Sequence, residues 1–166
     1  IIEEVVSESD FFSVKHMKIT EDSLLTKISC KGILTKYNTL RIDVSLKNKI
    51  LGGYDVKNYV PNYIDINPFS LRILKPEEMI SEKIHSLFNR QKARDLYDLF
   101  FLLRSFKFDI DLTEKKLQIF GLKFSKNKIK GRISNLKTLW VREITPFVLG
   151  EPLEFNVAKN YVIEKL

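Results

Sequence analysis

The sequence changes from strand-like to helix-like spacing in residues 74–103, which read LKPEEMISEKIHSLFNRQKARDLYDLFFLL. Pro76 stands where a helix accepts proline, in the first turn, and the two glutamates after it suit the positive end of the helix dipole. Apolar side chains at helical spacing then predict a helix that runs to about Asn89. A second helix, apolar on nearly every side, is predicted from about Lys92 to Arg104.

The residues before this stretch have the spacing of strands. Phe12 to Ile19 alternates apolar and polar side chains, Ser23 to Leu34 does so less cleanly, and Thr39 to Leu46 does so most clearly. We expect Asp43 to lie on the polar face of the third of these strands. Residues 52–68, which contain two glycines and two prolines, predict a loop, and a short last strand is expected directly after them.

Helices are expected in the rest of the chain. Residues 111–114, Asp-Leu-Thr-Glu, fit a capping box at the start of a third helix. Further helices are predicted over residues 125–142 and from Phe155 to the end. Strands followed by helices predict an α+β fold, with a sheet region over residues 1–74 and a helical region over residues 75–166.

Length and composition exclude several classes of protein. A chain of 166 residues with 44% hydrophobic side chains is large enough to bury a core without a disulfide or a metal. Cys30 is the only cysteine, which excludes an intrachain disulfide and favours a reducing, cytoplasmic setting. The most apolar helical stretch contains Asp98 and is far shorter than the roughly 20 residues of a membrane span. We therefore expect a cytoplasmic protein without a membrane partner.

The positive charge is concentrated in the second half of the chain. The formal net charge is +7, and no acid occurs between Glu114 and Glu143. A surface formed by this segment would attract phosphate groups, with an affinity that falls as salt rises. Alternatively, it is only a solvated basic helix pair. The basic residues of the segment are Lys115, Lys116, Lys123, Lys126, Lys128, Lys130, Arg132, Lys137 and Arg142, and the candidate nucleic-acid contacts among them are Lys123, Lys126, Lys128, Lys130 and Arg132.

Charged side chains also occur where the two central helices are apolar. The spacing places Lys83 on the inward-facing stripe of its helix, with Arg90 nearly in line with it. Asp95 and Asp98 enter a mostly apolar helix, which is costly unless cations pair with them. A structural ion network or long side chains that reach water would explain these residues. A binding site would explain them as well.

Residues 74–103 resemble the signature of the AbiEii/AbiGii toxin family of nucleotidyltransferases. In that family a helix with a lysine and a downstream arginine precedes an Arg-Asp-Leu-x-Asp helix, here residues 94–98. Upstream, Leu40-Arg-Ile-Asp43-Val resembles the strand that carries the family's third catalytic carboxylate. The resemblance implies a nucleotidyltransferase-like mixed sheet followed by a helical bundle. It also implies transfer of a nucleoside monophosphate from an NTP to tRNA, another RNA or a protein hydroxyl, with Mg²⁺ as cofactor and an antitoxin as partner.

The resemblance assigns roles to individual residues. Asp43 corresponds to a carboxylate that binds metal or takes the proton of the acceptor hydroxyl. Lys83 corresponds to the lysine that neutralises the triphosphate, with Arg90 assisting. We interpret Asp95 as a further catalytic residue beside Asp43 and Lys83, and we expect it to face the cleft.

Two further residues of the motif complete the implied nucleotide site. Asp98 is interpreted as the partner of Arg94, four residues before it. The implied nucleotide-binding residues are then Lys83, Arg90, Arg94 and Asp98.

The sequence departs from the family pattern at its start. The family begins with a Gly-Ser turn and an Asp-x-Asp strand, which supply the first metal ligands, and no such block precedes Asp43. Asp109-Ile-Asp111 follows the motifs in the wrong order and is better explained by helix capping. We therefore expect that the block lies before Ile1 and that residues 1–166 alone are inactive. The alternatives are a non-catalytic RNA-binding or toxin-neutralising module, and a scaffold without a site.

Overall fold

Strands come first along the chain and helices follow, which confirms the α+β prediction. The computed structural model describes residues 2–8, 10–32, 38–47 and 49–166. The chain divides into two compact units, residues 1–49 and residues 50–166, called here the strand unit and the helical unit.

The strand unit contains a three-stranded antiparallel sheet. A short helix, α1 (Ile2–Ser7), precedes strands β1 (Phe12–Ile19), β2 (Ser23–Cys30) and β3 (Asn38–Ser45), which lie in the order β1-β2-β3. The three predicted strands are therefore present. The predicted end of the second, at Leu34, lies outside the described residues.

The register of this sheet separates two faces. Leu24 pairs with Val44 on one face, and Leu25 pairs with Asp43 on the other, because side chains alternate along each strand. Asp43 therefore lies on the face opposite Val44, as the alternation of the sequence predicts.

A hairpin opens the helical unit. Strand β4 (Tyr54–Tyr59) pairs antiparallel with β5 (Phe69–Leu74). The prediction of a loop over residues 52–68 was thus wrong for β4, whose six residues are all exposed and so lack the alternating burial that usually identifies a strand. Cross-strand contacts hold it instead, since the rings of Tyr59 and Phe69 lie 5.3 Å apart.

One structural expectation about the sheet needs revision. The family resemblance implied a mixed sheet, and every strand pair that the described residues form is antiparallel. The compact units divide between residues 49 and 50, whereas the division into a sheet region and a helical region at residue 74 stays a prediction. The hairpin is therefore grouped with the helices.

Six α-helices complete the helical unit. The first agrees with the prediction from residue 76 to residue 89, and the second begins one residue later than predicted. Their bounds are α2 (Pro76–Asn89), α3 (Ala93–Ser105), α4 (Ile110–Ile119), α5 (Lys126–Ser134), α6 (Lys137–Glu143) and α7 (Phe155–Lys165).

Two helix boundaries differ from the prediction. Helix α4 is capped by Asp109, whose carboxylate accepts a hydrogen bond from the backbone N–H of Leu112, and not by the predicted box at 111–114. The single helix predicted over residues 125–142 is two helices. The hydroxyl of Ser134 donates back to the carbonyl of Lys130 at the end of α5, a bond that competes with the helical pattern.

The core of the helical unit is built from α2, α3 and the helices that follow them. Leu96 and Leu99 of α3 are fully buried, as are Ile80 and Ile84 of α2. Trp140 of α6 is 3% exposed, and its indole N–H donates to the carbonyl oxygen of Leu153. This packing fixes α2 against α3 and so positions the charged side chains between them. No helix among the described residues is both long enough and apolar enough to cross a bilayer.

Candidate functional site

Four charged side chains form a cluster between α2 and α3. The Nζ atom of Lys83 lies 2.5 Å from a carboxylate oxygen of Asp98 and 3.4 Å from one of Asp95. The guanidinium of Arg90 donates two hydrogen bonds of 2.8 Å to the two oxygens of Asp95. We call these four residues the ion-pair cluster. A structural ion network was one of the explanations that the sequence left open, and the structure brings all four charges together.

The two aspartates of the cluster differ in exposure. The Asp95 side chain is 0% exposed, whereas the Asp98 side chain is 40% exposed. Our interpretation of the two was therefore wrong, because Asp98 reaches the surface and binds Lys83, while Asp95 is enclosed by its cations. Arg94 is exposed, and no described residue forms an ion pair with it. One helical turn separates Arg94 from Asp98, but Lys83 from the neighbouring helix occupies that carboxylate.

The exposed side of the cluster lines a cavity of about 680 Å³. Glu82, Lys83 and Asp98 form its charged part, and Tyr97 and Phe101 belong to its mostly apolar wall. A volume of this size is within the usual range for small-molecule sites, which combine apolar walls with a few polar groups. The complete lining is Leu74, Met79, Glu82, Lys83, Tyr97, Asp98, Phe101, Leu102, Ser105 and Phe106.

The hydrogen bonds to Asp95 fix the charge of Arg90. They are the main reason that the pKa of Arg90 is raised above its ordinary value, and partial burial acts in the opposite direction. Arg90 therefore stays positively charged at every pH at which the protein is folded.

A second set of buried charges lies behind the cavity, and the sequence analysis did not predict it. The Nζ atom of Lys116, on α4, lies 2.5 Å from a carboxylate oxygen of Glu78 and 2.5 Å from one of Glu82, both on α2. Lys116 and Glu78 are 0% exposed. We call these three residues the buried triad. Glu78 also accepts hydrogen bonds from the backbone N–H groups of Leu51 and Gly52, so that it ties the loop before β4 to α2.

The buried triad left only a weak signal in the sequence. Glu78 was explained by the helix dipole, and Lys116 was counted with the basic surface, where its complete burial shows that it does not belong. The spacing of Glu78 and Glu82, four residues apart on one helix face, was the only available indication.

His85 packs between the triad and an aromatic ring. Its ring lies 3.8 Å from that of Phe120, and burial lowers the pKa of His85 below its ordinary value, against the weaker effect of Glu82. The side-chain amide of Asn89 lies 2.6 Å from Nε2 of His85. His85 is thus a core histidine.

Asp43 has a different environment in the strand unit. Its carboxylate accepts hydrogen bonds of 2.7 and 2.9 Å from the guanidinium of Arg41, two residues before it on β3. These hydrogen bonds are the main cause that holds the pKa of Asp43 below its ordinary value. Both side chains are more than half exposed, so the carboxylate is accessible to a ligand that displaces Arg41.

The comparison with protein families identifies the chain. A family model described as "Nucleotidyl transferase AbiEii toxin, Type IV TA system" matches residues 2–158. The chain belongs to the AbiEii nucleotidyl transferase toxin family. The resemblance found in the sequence motif is thereby confirmed. Neither the curated proteins nor the solved structures contain a match.

Membership in the AbiEii family indicates an NTP substrate, a divalent metal in general and an antitoxin as partner. The carboxylates of the described residues do not form a metal site by themselves. No group of three His, Cys, Asp or Glu side chains within the described ranges is close enough to hold one ion. Asp43 is bound to Arg41, Asp95 to Arg90, and Asp98 to Lys83, so each candidate ligand is already neutralised by a cation.

The basic residues proposed as nucleic-acid contacts are on the surface of this AbiEii family member. Lys126, Lys128, Lys130 and Arg132 are exposed side chains of α5, and Lys123 is exposed in the loop before it. Lys128 and Arg132 line a second cavity, of about 580 Å³. The prediction of a basic surface therefore applies to α5, whereas Lys116 is part of the core.

Proposed function

We propose that this protein binds an NTP at the ion-pair cluster and belongs to a toxin that transfers a nucleoside monophosphate to an RNA or protein acceptor. The observation that carries the proposal is the Lys83 side chain, 28% exposed at the wall of a cavity of about 680 Å³. The mostly apolar wall suits a flat base, and Lys83 is the one cation among the described residues of the lining that can bind a phosphate tail, beside the carboxylates of Glu82 and Asp98.

The ion-pair cluster would act on the nucleotide in two ways. The phosphates displace Asp98, which is partly exposed, from Lys83, and this ammonium then neutralises phosphate charge. Asp95 is a positioning residue in this proposal, because it is enclosed and holds both Lys83 and Arg90 in place. Tyr97 offers an aromatic surface to the base.

The remaining roles follow from the family alone. Asp43 is proposed to receive the proton of the acceptor hydroxyl or to bind a metal, and Arg94 to contact the nucleotide from the exposed side of α3. Mg²⁺ is the proposed metal of the complete active site, where Asp43 would be one of its ligands and the ion would supply charge stabilisation for the transferred phosphoryl group. We further propose a cytoplasmic location, and a division of roles in which residues 1–74 form the partial catalytic sheet and residues 75–166 hold the nucleotide.

The first prediction concerns the affinity for NTP. Lys83→Ala is expected to weaken binding of a fluorescent NTP analogue about tenfold or more, because a hydrogen bond to a charged group is lost and two carboxylates then face the phosphates. Asp98→Asn is expected to strengthen binding, because it removes the anion that competes for Lys83. Fluorescence anisotropy of the analogue, titrated with each variant, measures both effects.

Lys115→Ala is the matched control for these variants. It removes one exposed lysine from α4, outside the cavity lining, and should leave the NTP affinity within about twofold. Equal affinities of the Lys83→Ala variant and the parent protein would refute the nucleotide site, provided that their circular dichroism spectra agree.

The second prediction concerns catalysis by residues 1–166. We propose that this polypeptide binds NTP without transferring it, because no Asp-x-Asp pair precedes β3 and each described candidate carboxylate is paired with a cation. With labelled NTPs, Mg²⁺ and total RNA, no label is expected to become covalently attached to RNA or protein. Label that survives denaturing electrophoresis and depends on Lys83 would contradict this.

The alternative function is a non-catalytic RNA-binding or toxin-neutralising module. The exposed cations of α5 favour it, since they form a basic surface separate from the ion-pair cluster. The two functions differ in their ligands, because such a module binds RNA with a steep salt dependence and does not bind NTP. The titrations with NTP therefore distinguish them.

A further inference from the structure

The cavity beside α5 combines positive charge with an apolar surface. Lys128 and Arg132 lie four residues apart on one side of the helix and contribute the charge. Phe88, at the end of α2, and Leu122 are half-buried and contribute the apolar part. Asn135 adds an amide, and none of the residues that line the cavity is acidic.

A glycine in the middle of α5 forms part of the wall of this cavity. Gly131 is helical and is not among the described glycines with positive φ, so the backbone does not require glycine there. Apart from its neighbours in the helix, no described atom would lie within 4 Å of an added Cβ. Packing does not require glycine either. Glycine is also unfavourable inside a helix, so its presence here has no structural explanation. The absence of a side chain does have one effect, since it leaves open space beside Lys128 and Arg132.

We propose that this cavity holds one nucleotide unit of a single-stranded RNA. Its phosphate would lie between Lys128 and Arg132, close to the helix backbone at Gly131. The base would lie against Phe88 and Leu122, where Asn135 can hydrogen bond to it. Single-stranded nucleic acid is bound in this way elsewhere, by cations that follow the backbone and apolar or aromatic side chains that receive the bases.

The charge distribution favours RNA over a protein ligand. Residues 115–142 contain no acid, so repeated phosphates along a strand meet only positive or neutral side chains on α5. The volume of about 580 Å³ accommodates a base with its sugar and phosphate. The inference rests on the proposed function, because an RNA held here is the acceptor of the transfer, and it restricts the basic surface to one cavity.

The test compares two pairs of cations on the same helix. Lys128→Gln/Arg132→Gln removes the pair that lines the cavity, and Lys126→Gln/Lys130→Gln removes an equal charge from outside it. The probe is a labelled single-stranded RNA of about 12 nucleotides, titrated at several salt concentrations. The double variant of the cavity pair is expected to bind RNA about tenfold or more weakly and to have a salt slope shallower by about 0.7, since the one phosphate that the pair neutralises contributes about 0.7. The double variant of the outer pair should change the RNA affinity by less than about threefold.

Gly131 provides a test that leaves the net charge unchanged. Gly131→Leu fills the space and is expected to weaken RNA binding at least about fivefold, whereas Gly131→Ala should raise the melting temperature by about 2–4 °C. The rise in melting temperature indicates that glycine is not needed for folding. RNA binding that is unchanged in Gly131→Leu, or weakened equally by the two cation pairs, would overturn the proposal.

Two further measurements separate the possible failures. A free nucleoside monophosphate in large excess should not displace the RNA, and complete displacement would identify a mononucleotide site instead. NTP binding should stay normal in all variants of the cavity. If these variants bind RNA normally while Lys83→Ala still loses NTP, the RNA cavity is refuted and the nucleotide site is retained. If Lys83→Ala binds NTP normally, the proposed function fails whatever the result with RNA.

Discussion

Replacing Lys116 with methionine is expected to lower the free energy of unfolding of the helical unit by about 3–5 kcal/mol. Methionine has a similar length and no charge, so the variant keeps most of the apolar contacts of the lysine stem. It leaves the carboxylate of Glu78 buried at 0% exposure without its cation. Glu82 loses the same partner but is 17% exposed and reaches water more easily.

Glu78 explains why the loss should be so large. The backbone N–H groups of Leu51 and Gly52 still donate to one of its oxygens in the variant, but the other oxygen loses the ammonium. A buried charge without a partner costs much more than a missing neutral hydrogen bond. The helical unit also loses a link between α4, α2 and the loop before β4.

Urea denaturation followed by tryptophan fluorescence measures this effect. Trp140 is the only tryptophan and is buried in the helical unit, so its signal reports on that unit specifically. Lys115→Met, an exposed neighbour on the same helix, is the matched control and should change stability by no more than about 0.5 kcal/mol. Adding Glu78→Gln to Lys116→Met should recover part of the loss. A loss below about 1 kcal/mol for Lys116→Met would contradict the role assigned to the triad.

The sequence predicted most of the elements because their signals are local. Pro76 and the apolar stripe after it define α2 correctly, and the alternation in residues 39–46 identifies β3. Strand β4 was missed because its stability comes from pairing with β5, a contact that does not appear in the spacing of its own side chains. Helix α4 is capped by Asp109, and not by the predicted box at residues 111–114, because the Asp109 carboxylate accepts a hydrogen bond from the backbone N–H of Leu112.

The charged residues were predicted less well than the elements. Motif spacing pointed to the four members of the ion-pair cluster and also to Arg94, which forms no ion pair with a described residue. It could not show which cation binds which carboxylate, because the partners of Asp98 and Asp95 depend on the packing of α2 against α3. Lys116 illustrates the same limit of sequence patterns, since a lysine in a basic run has the same sequence signal whether it is exposed or buried.

The ion-pair cluster should respond asymmetrically when its partners are removed one at a time. Arg90→Met is expected to destabilise the helical unit by about 3 kcal/mol, because it leaves Asp95, at 0% exposure, with only Lys83 at 3.4 Å. Asp95→Asn should cost only about 1 kcal/mol, because the guanidinium left behind is 44% exposed and can be hydrated. Urea denaturation followed by Trp140 fluorescence measures both values.

The double variant separates the ion pair from other effects of each substitution. In the Asp95→Asn background no buried carboxylate depends on Arg90, so Arg90→Met should then cost only its lost packing, about 1 kcal/mol. The coupling energy of the cycle is thus expected to be about 2 kcal/mol.

Arg94→Met, which removes an exposed arginine without an ion pair to any described residue, is the matched control and should be nearly neutral. Equal costs for Arg90→Met and Asp95→Asn would contradict the asymmetry, because they would mean that the burial of Asp95 does not determine the effect. A coupling energy near zero would refute the bidentate pair itself, and with it the proposal that Asp95 positions the cations of the nucleotide site.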